Sequence, residues 1–350
     1  MTVDATPDNK PDVAAEARTP FSLINFLVRY GVLLIFAILL ITFWTTVPGF
    51  GSANNIISIF QAQAVAGIAA LGMTLAAVVG DLDLSVGATA GLSVTVAAMT
   101  MISFNLTGGT AIIFCILAGV VVGSVNAILI VVLKIPDLLA TLGMMFTVQG
   151  LKKWLTDGQT LTTGMRLPSG RVVKGKFTNS FAAIDGNNVL GVPISVWIFV
   201  IIGILVWVFL EKTRYGRVFY AVGGNPEAAR LAGARVSRYR FGAYLMSGVL
   251  AAIAGIILAS RLRQGDVTAG DSALLDAVAM TLIGYAVLGA KKPNALGTFV
   301  GALFIGTILQ GLTQIGLSYY TQDLIKGLVL VFALLMSFSL RRREKRPQNA

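Results

Sequence analysis

Long uninterrupted apolar runs dominate the chain, and short polar turns separate them. The run IFVIIGILVWVFL at 198–210, for example, is apolar at every position, whereas a strand of a membrane barrel alternates apolar and polar side chains. About 17–25 apolar residues form a helix that can cross the ~30 Å hydrocarbon core of a bilayer. The pattern therefore predicts an all-α fold, a polytopic helical membrane protein with about ten transmembrane helices.

Ten apolar segments have the length of a membrane span. They are predicted at 27–47, 56–79, 84–103, 110–133, 138–155, 194–210, 241–260, 273–290, 296–317 and 324–340. The second and third are separated by GDLDLS, at 80–85, where two carboxylates interrupt the apolar pattern. This interruption leaves open a broken helix or a re-entrant loop, because charged groups are costly within a membrane.

The spans make residues 27–340 one transmembrane domain with a polar tail at each end. Residues 1–20 are polar and contain three prolines. Residues 1–26 are predicted to form a disordered cytoplasmic tail, and the polar stretch is not a signal peptide. Residues 341–350 begin with RRREKR and are predicted to form a basic cytoplasmic tail, as the positive-inside rule favours.

The distribution of basic residues predicts the orientation of the chain. Charged residues make up only 12% of the sequence, yet the net charge is +11, and the basic residues lie in segments that flank the spans. The positive-inside rule then places both termini and a loop at 211–240 in the cytoplasm of a multi-pass inner-membrane protein. The loop at 156–193 is predicted to be extracytoplasmic, although it carries several basic residues. Membrane orientation explains the charge better than nucleic-acid binding does.

The residue inventory excludes several kinds of chemistry. The chain has no histidine and one cysteine, Cys115, so an intrachain disulfide, a His/Cys metal site and histidine acid–base catalysis are ruled out. No cofactor is expected. The sequence also lacks the G-x-x-x-x-G-K-[ST] pattern of a nucleotide-binding loop, so any nucleotide hydrolysis must belong to another polypeptide.

A short helix is predicted within the cytoplasmic loop. In GGNPEAAR, Asn225 can cap the helix, Pro226 occupies its first position and Glu227 its first turn, all of which favour a helix start. The helix is predicted to run for about 11 residues, over PEAARLAGARV, which is too short to cross a membrane. One role that needs no protein partner is that of an interfacial helix, held to lipid headgroups by its arginines.

The same stretch resembles the EAA loop of ABC importer permeases. The resemblance is carried by Glu-Ala-Ala at 227–229, followed after three residues by Gly233. It implies a coupling helix that docks into a groove on a separate ABC ATPase subunit and transmits the movement of that subunit. The residues implied in coupling are Gly224, Asn225, Pro226, Glu227, Ala228, Ala229, Arg230 and Gly233. Small side chains permit close contact, and Arg230 and Arg235 could pair with acidic residues of a partner.

Further motifs resemble ribose-type carbohydrate ABC permeases. In the order of that family they are DLSVG at 83–87, LLATLGMMFTVQGL at 138–151, LLDAVAMTLIG at 274–284 and YYTQDLIKGLVLVFALL at 319–335. The chain departs from the family where Leu274 replaces a frequent acid and where GYAVLGAKKPNALG replaces a glycine-rich turn, which puts the solute passage near Tyr285 in doubt.

The resemblance implies a function and a set of partners. The chain is expected to be a non-catalytic permease subunit that imports a ribose-type pentose or related sugar. It is expected to work with the ATPase, a periplasmic or lipoprotein sugar-binding protein, membrane lipid and a second permease copy, as a homodimer or a paralogous heterodimer.

Polar residues within the spans are candidates for the substrate pathway. They are Asp81, Asp83, Ser85, Gln61, Asn126, Thr141, Tyr285 and Gln310. Neutral amides and hydroxyls can bind sugar hydroxyls, but they can equally join neighbouring helices. Asp83 could instead cap the helix that follows it, with Ser85 as an alternative cap.

Two other functions are compatible with intramembrane carboxylates. An ion-coupled secondary transporter would use residues such as Asp81 or Asp276. An intramembrane aspartyl enzyme would share a proton between two carboxylates, but Asp81 and Asp83 lack the G-x-G-D pattern of such proteases.

Overall fold

The computed structural model describes residues 23–166, 172–287, 292–318, 320–325, 327–328 and 331. The helices are α1 Leu23–Thr46, α2 Ala53–Val78, α3 Val86–Ala98, α4 Gly108–Ala127, α5 Asp137–Leu155, α6 Asn179–Gly186, α7 Ile194–Lys212, α8 Arg214–Gly224, α9 Pro226–Leu231, α10 Val236–Leu262, α11 Asp271–Ala286 and α12 Ala295–Gln314. A π-helical turn extends α3 over Met99–Ser103 and another extends α4 over Ile128–Val132. Two short strands, β1 Asn188–Val189 and β2 Val192–Pro193, pair antiparallel.

The all-α prediction is confirmed, and the first nine predicted segments coincide with α1–α5, α7 and α10–α12. In the described ranges, 6 helices are long and apolar enough to cross a membrane, namely α2, α3 and α4 with their π turns, α7, α10 and α12. Of the others, α11 has only 16 residues, and α5 carries Asp137, Lys152 and Lys153. The total of about ten stays a prediction.

The two predicted tails and most of the tenth segment fall outside the described residues. The exception at the start is α1, which begins at Leu23 and not at residue 27. Within the segment predicted at 324–340, only 324–325, 327–328 and 331 are described, and they are helical.

The longest helix, α10, lies at the centre of the bundle against α2, α3 and α4. Glycines allow its backbone to touch its neighbours. A Cβ added to Gly248 of α10 would lie 2.3 Å from the carbonyl oxygen of Gly119 in α4, and one added to Gly255 would lie 2.2 Å from that of Ala90 in α3. Close backbone contact of this kind favours association of helices in lipid, which provides no hydrophobic drive between them.

Different short helices mark the two ends of the bundle. At the first end, called the α8 end, a Cβ added to Gly223 of α8 would lie 2.0 Å from the carbonyl oxygen of Val78, where α2 ends. At the other end, called the α6 end, the Gln61 amide donates to Asp185 of α6. The predicted loop at 156–193 therefore contains a helix and a hairpin that the sequence pattern did not indicate.

The predicted surface helix is shorter than expected. The sequence pattern predicts about 11 residues, but α9 has 6. The next helix, α10, begins at Val236, five residues before the predicted start at 241. Gly233, with φ +88, ends α9 in a left-handed conformation. The N–H of Ala234 donates to Ala229 and that of Gly233 to Arg230, the two bonds of a Schellman motif. The arginines and alanines favour a helix, but the glycine ends it.

Candidate functional site

Two features lie at or near the α8 end: the surface formed by α8 and α9, and the segment 80–85, which enters the bundle. In α9, the Asn225 Oδ1 atom accepts the N–H of Ala228 at 3.0 Å, and Pro226 occupies the first position. The predicted helix start is thus confirmed. Ala229 is buried beneath the helix, so α9 is fixed to the bundle by one side.

The outer side of α9 carries one exposed apolar residue between charges. Leu231 is 90% exposed. Glu227 and Arg230 form an exposed ion pair at 2.8 Å, which contributes little to stability because water competes for both groups. The sequence prediction omitted Leu231, although it is the only large apolar residue between Pro226 and Arg235. Helices that present apolar side chains outward are one of the recurring elements that grooves of other proteins bind.

The helix before α9 was also missed. α8 follows α7 after Thr213, whose hydroxyl accepts the N–H of Gly216, and it buries Phe219 between Phe209 and Tyr239. The Tyr220 hydroxyl of α8 donates a hydrogen bond to the Glu211 carboxylate. Partial burial and the negative charge of Glu211 raise the pKa of Tyr220. This phenol therefore stays protonated and holds α8 to the end of α7.

A basic cleft of about 500 Å³ adjoins the end of α9. It is lined by Tyr215, Gly233, Ala234, Arg235, Arg238 and Tyr239. The Arg214 guanidinium stacks over the Tyr215 ring at 5.0 Å and donates to its hydroxyl. Cationic and aromatic side chains of this kind suit an acidic or amide-bearing partner segment.

The segment 80–85 connects α2 to α3 and is held by α10. Both carboxylate oxygens of Asp81 accept hydrogen bonds from Arg240, from Nη2 at 2.7 Å and from Nε at 2.8 Å. This bidentate geometry is the strongest form of the arginine–carboxylate interaction. Arg240 lies in the second turn of α10, nine residues after Leu231 at the end of α9, so the ion pair joins the helix that follows α9 to the segment.

Asp83 lies deeper and is almost fully buried. Its carboxylate accepts the N–H and hydroxyl of Ser85 at 3.0 and 2.6 Å and the hydroxyl of Ser247 at 2.7 Å. Ser85 also accepts a hydrogen bond from the Asn126 amide at 2.8 Å. Ser85 is the residue before α3 and makes no side-chain capping bond itself, so the capping alternative for Ser85 is wrong. The one backbone N–H that donates to Asp83 among the described residues is that of Ser85.

The first turn of α5 fastens the other side of the segment. Asp137 accepts the N–H of Leu82 at 2.7 Å, and the Thr141 hydroxyl lies 3.4 Å from the Leu82 carbonyl oxygen. The structure therefore brings together five of the predicted pathway residues, Asp81, Asp83, Ser85, Asn126 and Thr141. Asp137 and Arg240, which complete the arrangement, were not among the pathway predictions, since residues so far apart in sequence give no local signal.

The other three pathway candidates lie apart from this cluster. Gln61 donates to Asp185, and Gln310 donates to Asn55 at 2.8 Å. Tyr285 is half-buried in α11. The two glutamines thus join neighbouring elements of the bundle, the alternative role given to such residues.

Comparison with known proteins identifies the family of the chain. Residues 55–334 match the model of a family described as branched-chain amino acid transport system / permease component. The ribose import permease protein of Haemophilus influenzae is 33% identical over 315 residues, covering 90% of this chain and 94% of that protein. The ribose import permease protein of Bacillus subtilis is 35% identical, covering 83% of this chain and 86% of that protein.

A third relative is more distant but equally complete. The xylose transport system permease protein of Escherichia coli is 27% identical over 368 residues, covering 91% of this chain and 94% of that protein. No solved structure gives a significant match. The matches confirm the family resemblance and give no support to the ion-coupled alternative. The chain belongs to the transport-system permease family: it is a multi-pass, non-catalytic permease subunit of an ABC importer, and ATP hydrolysis belongs to a separate subunit.

Proposed function

We propose that the chain forms the path by which a monosaccharide, a ribose-type pentose or related sugar, crosses the inner membrane. The names of its relatives, ribose and xylose permeases, support this substrate class. Import is driven by the separate ATPase, and a sugar-binding protein delivers the solute. The permease acts as a dimer, either with an identical copy or with a paralogue.

The outward face of α9 is the docking element for the ATPase. The observation that carries this proposal is the 90% exposure of Leu231 on a helix whose start and end are both fixed by hydrogen bonds. An apolar side chain of this size gains about 1.5–3 kcal/mol when it leaves water. Because α9 is fastened to α8 and α10, a displacement of the docked helix moves α10 as well.

Replacement of Leu231 by Asp is expected to abolish co-purification of the ATPase and uptake of ribose. The matched control is Leu190→Asp, because Leu190 is 89% exposed in the β1–β2 turn at the α6 end. This control should retain both properties. ATPase binding and transport by Leu231→Asp at the level of the control would refute the docking role of α9.

Two further changes on α9 are expected to leave the permease inserted but uncoupled. Glu227→Lys reverses a charge on the docking face, and Gly233→Trp adds a large side chain next to it. Gly233 has φ +88, so its replacement also strains the backbone, and Glu227→Lys is the cleaner of the two. Normal ATPase retention and uptake in both variants would contradict the coupling assignment.

The α8 end is proposed to face the cytoplasm, together with both chain termini. Basic residues at 214–240 support this orientation through the positive-inside rule. A cysteine placed at 231 should react with a membrane-impermeant maleimide only in inverted vesicles, and one placed at 190 only in intact spheroplasts. The native Cys115 is fully buried, so its background is low. The reverse labelling pattern would overturn the orientation.

Segment 80–85 is proposed to be the part of the pathway that responds to α9. The Asp81–Arg240 pair supports this role because it ties the segment to α10. Asp83 and Ser85 supply polar groups within the segment, and Asn126 supplies one beside it. The pathway role stays a prediction for four other residues, Gln61, Thr141, Tyr285 and Gln310.

In vesicles containing the whole complex, ribose uptake should require ATP and resist a protonophore. Loss of uptake on collapse of the proton gradient would instead favour ion coupling.

A further inference from the structure

A second polar cluster lies inside the bundle and shares no residue with segment 80–85. It forms where the chain between α10 and α11 meets α3. A Cβ added to Gly270 would lie 2.4 Å from the carbonyl oxygen of Gly87, and one added to Gly91 would lie 2.1 Å from that of Ala269. Gly91 is 12 residues before Ser103, where the π turn that extends α3 ends. At a rise of 1.5 Å per residue, Gly91 lies about 18 Å from that end of the helix. The start of α11 is thus deep within the bundle.

The cluster consists of Lys152 and Gln149 from α5 and Asp271 from α11. The Lys152 ammonium donates to the Ala269 carbonyl oxygen at 3.1 Å and to Asp271 Oδ1 at 3.3 Å. The Gln149 amide donates to the same Oδ1 atom at 3.4 Å. No hydrogen bond from the described residues reaches Asp271 Oδ2. One oxygen of the carboxylate is therefore fixed, and the other is available as an acceptor.

The exposure of this ion pair is opposite to that of the two other pairs between residues distant in sequence in the described part of the chain. In Asp81–Arg240 and Asp185–Arg261 the carboxylate is the buried member. In Lys152–Asp271 the lysine side chain is 0% exposed and the aspartate 44%. A charge enclosed in a bundle needs a paired partner, because a buried charge left unpaired is strongly destabilising. Here the cation is enclosed, and its partner is left open.

An open carboxylate at this depth must face water or another polar surface, because contact with lipid is too costly. Gly91 makes the arrangement possible, since a Cβ at this position would lie 2.5 Å from the Lys152 Nζ atom. The enclosed lysine keeps the carboxylate oriented, and the open oxygen can accept the hydroxyl hydrogens of a passing solute. The glutamine amide adds a carbonyl oxygen and a second donor group beside it.

We infer that Asp271, positioned by Lys152 and Gln149, is a solute-binding residue for a neutral polyhydroxylated molecule. The inference rests on the proposed sugar-import function and adds to it a contact site that is separate from segment 80–85. Lys152 acts as a positioning residue, because it is enclosed and reaches the solute only through Asp271. Weak binding suits a pathway that must release its solute.

The test measures solute binding to the purified permease–ATPase complex without the binding protein. Saturation-transfer NMR with ribose at millimolar concentration reports weak contacts directly. The signal is expected to fall at least tenfold in Asp271→Asn, whereas Asp266→Asn should match the unmodified protein. Asp266 lies five residues earlier, and its Oδ1 atom accepts hydrogen bonds from Thr268 that an asparagine can keep. Unchanged ATP hydrolysis in both variants shows that the complex is intact.

Equal ribose signals from Asp271→Asn and Asp266→Asn would overturn the inference. The double variant Lys152→Met/Asp271→Leu provides a second test, because it replaces the pair by apolar side chains that can keep the packing. Ribose uptake by this variant at the unmodified rate would overturn it too. If the unmodified complex takes up neither ribose nor xylose, both the sugar function and this site are rejected. Normal uptake with equal binding in the two aspartate variants rejects the site alone.

Discussion

Replacement of Gly248 by Leu is expected to abolish the folded permease. A Cβ at this position would lie 2.3 Å from the Gly119 carbonyl oxygen and 3.0 Å from the Gly123 nitrogen. Both are backbone atoms of α4, which cannot rotate away as a side chain can. The two helices must separate, which removes dispersion contacts along the crossing that lipid chains replace only in part. The yield of monodisperse protein after detergent extraction should fall at least tenfold.

The matched control is Gly242→Leu in the same helix. An added Cβ at Gly242 meets no atom of the described residues within 4 Å. Both substitutions raise helix propensity by a similar amount, up to about 1 kcal/mol, so the difference between them isolates the steric effect. Equal yields and equal thermal midpoints for the two variants would show that the α4–α10 crossing is not closed by this contact.

Removal of the Arg240 guanidinium is expected to have the second largest effect. Arg240→Ala leaves the buried Asp81 carboxylate without its bidentate partner. Loss of one member of a buried pair costs about 3–5 kcal/mol, because the remaining charge is desolvated and unpaired. The thermal midpoint of the purified complex should fall, and ribose uptake should be lost.

The double variant Asp81→Asn/Arg240→Ala separates stability from coupling. It removes the unpaired charge, so most of the thermal midpoint should return. It does not restore the connection between α10 and segment 80–85, so ATP hydrolysis should continue while uptake stays low. Full recovery of uptake in the double variant would refute the proposal that this pair transmits movement to the segment.

The start of α9 illustrates what local sequence can predict. Asn225 and Pro226 meet requirements that depend on only a few neighbouring residues, since a cap bonds the backbone three positions away. The end of the same helix was misplaced because alanine and arginine favour continuation and the left-handed conformation of Gly233 is one of several that glycine can adopt. The positions of the long apolar helices are also predicted well from sequence. Their partition into lipid depends on the composition of one helix and not on distant residues.

The candidate sites required contacts between distant residues. Asp81 was selected from sequence, but Arg240 lies 159 positions away, and no periodicity relates the two. Asp271 was not selected at all, because an aspartate at the start of a helix is usually a favourable first-turn residue. Only its contact with the enclosed Lys152, 119 positions earlier, distinguishes it from that ordinary role.

The sequence by itself determined that this protein is helical, membrane-embedded, free of histidine chemistry and dependent on another polypeptide for ATP hydrolysis. These properties follow from composition, run length and short motifs, which act over one helix or less. Tertiary structure decided which carboxylates are enclosed and which are open, and which helices touch through glycine. Those features depend on the packing of helices that are more than a hundred residues apart, and the energetic cost of a charge in the bundle is set by that packing.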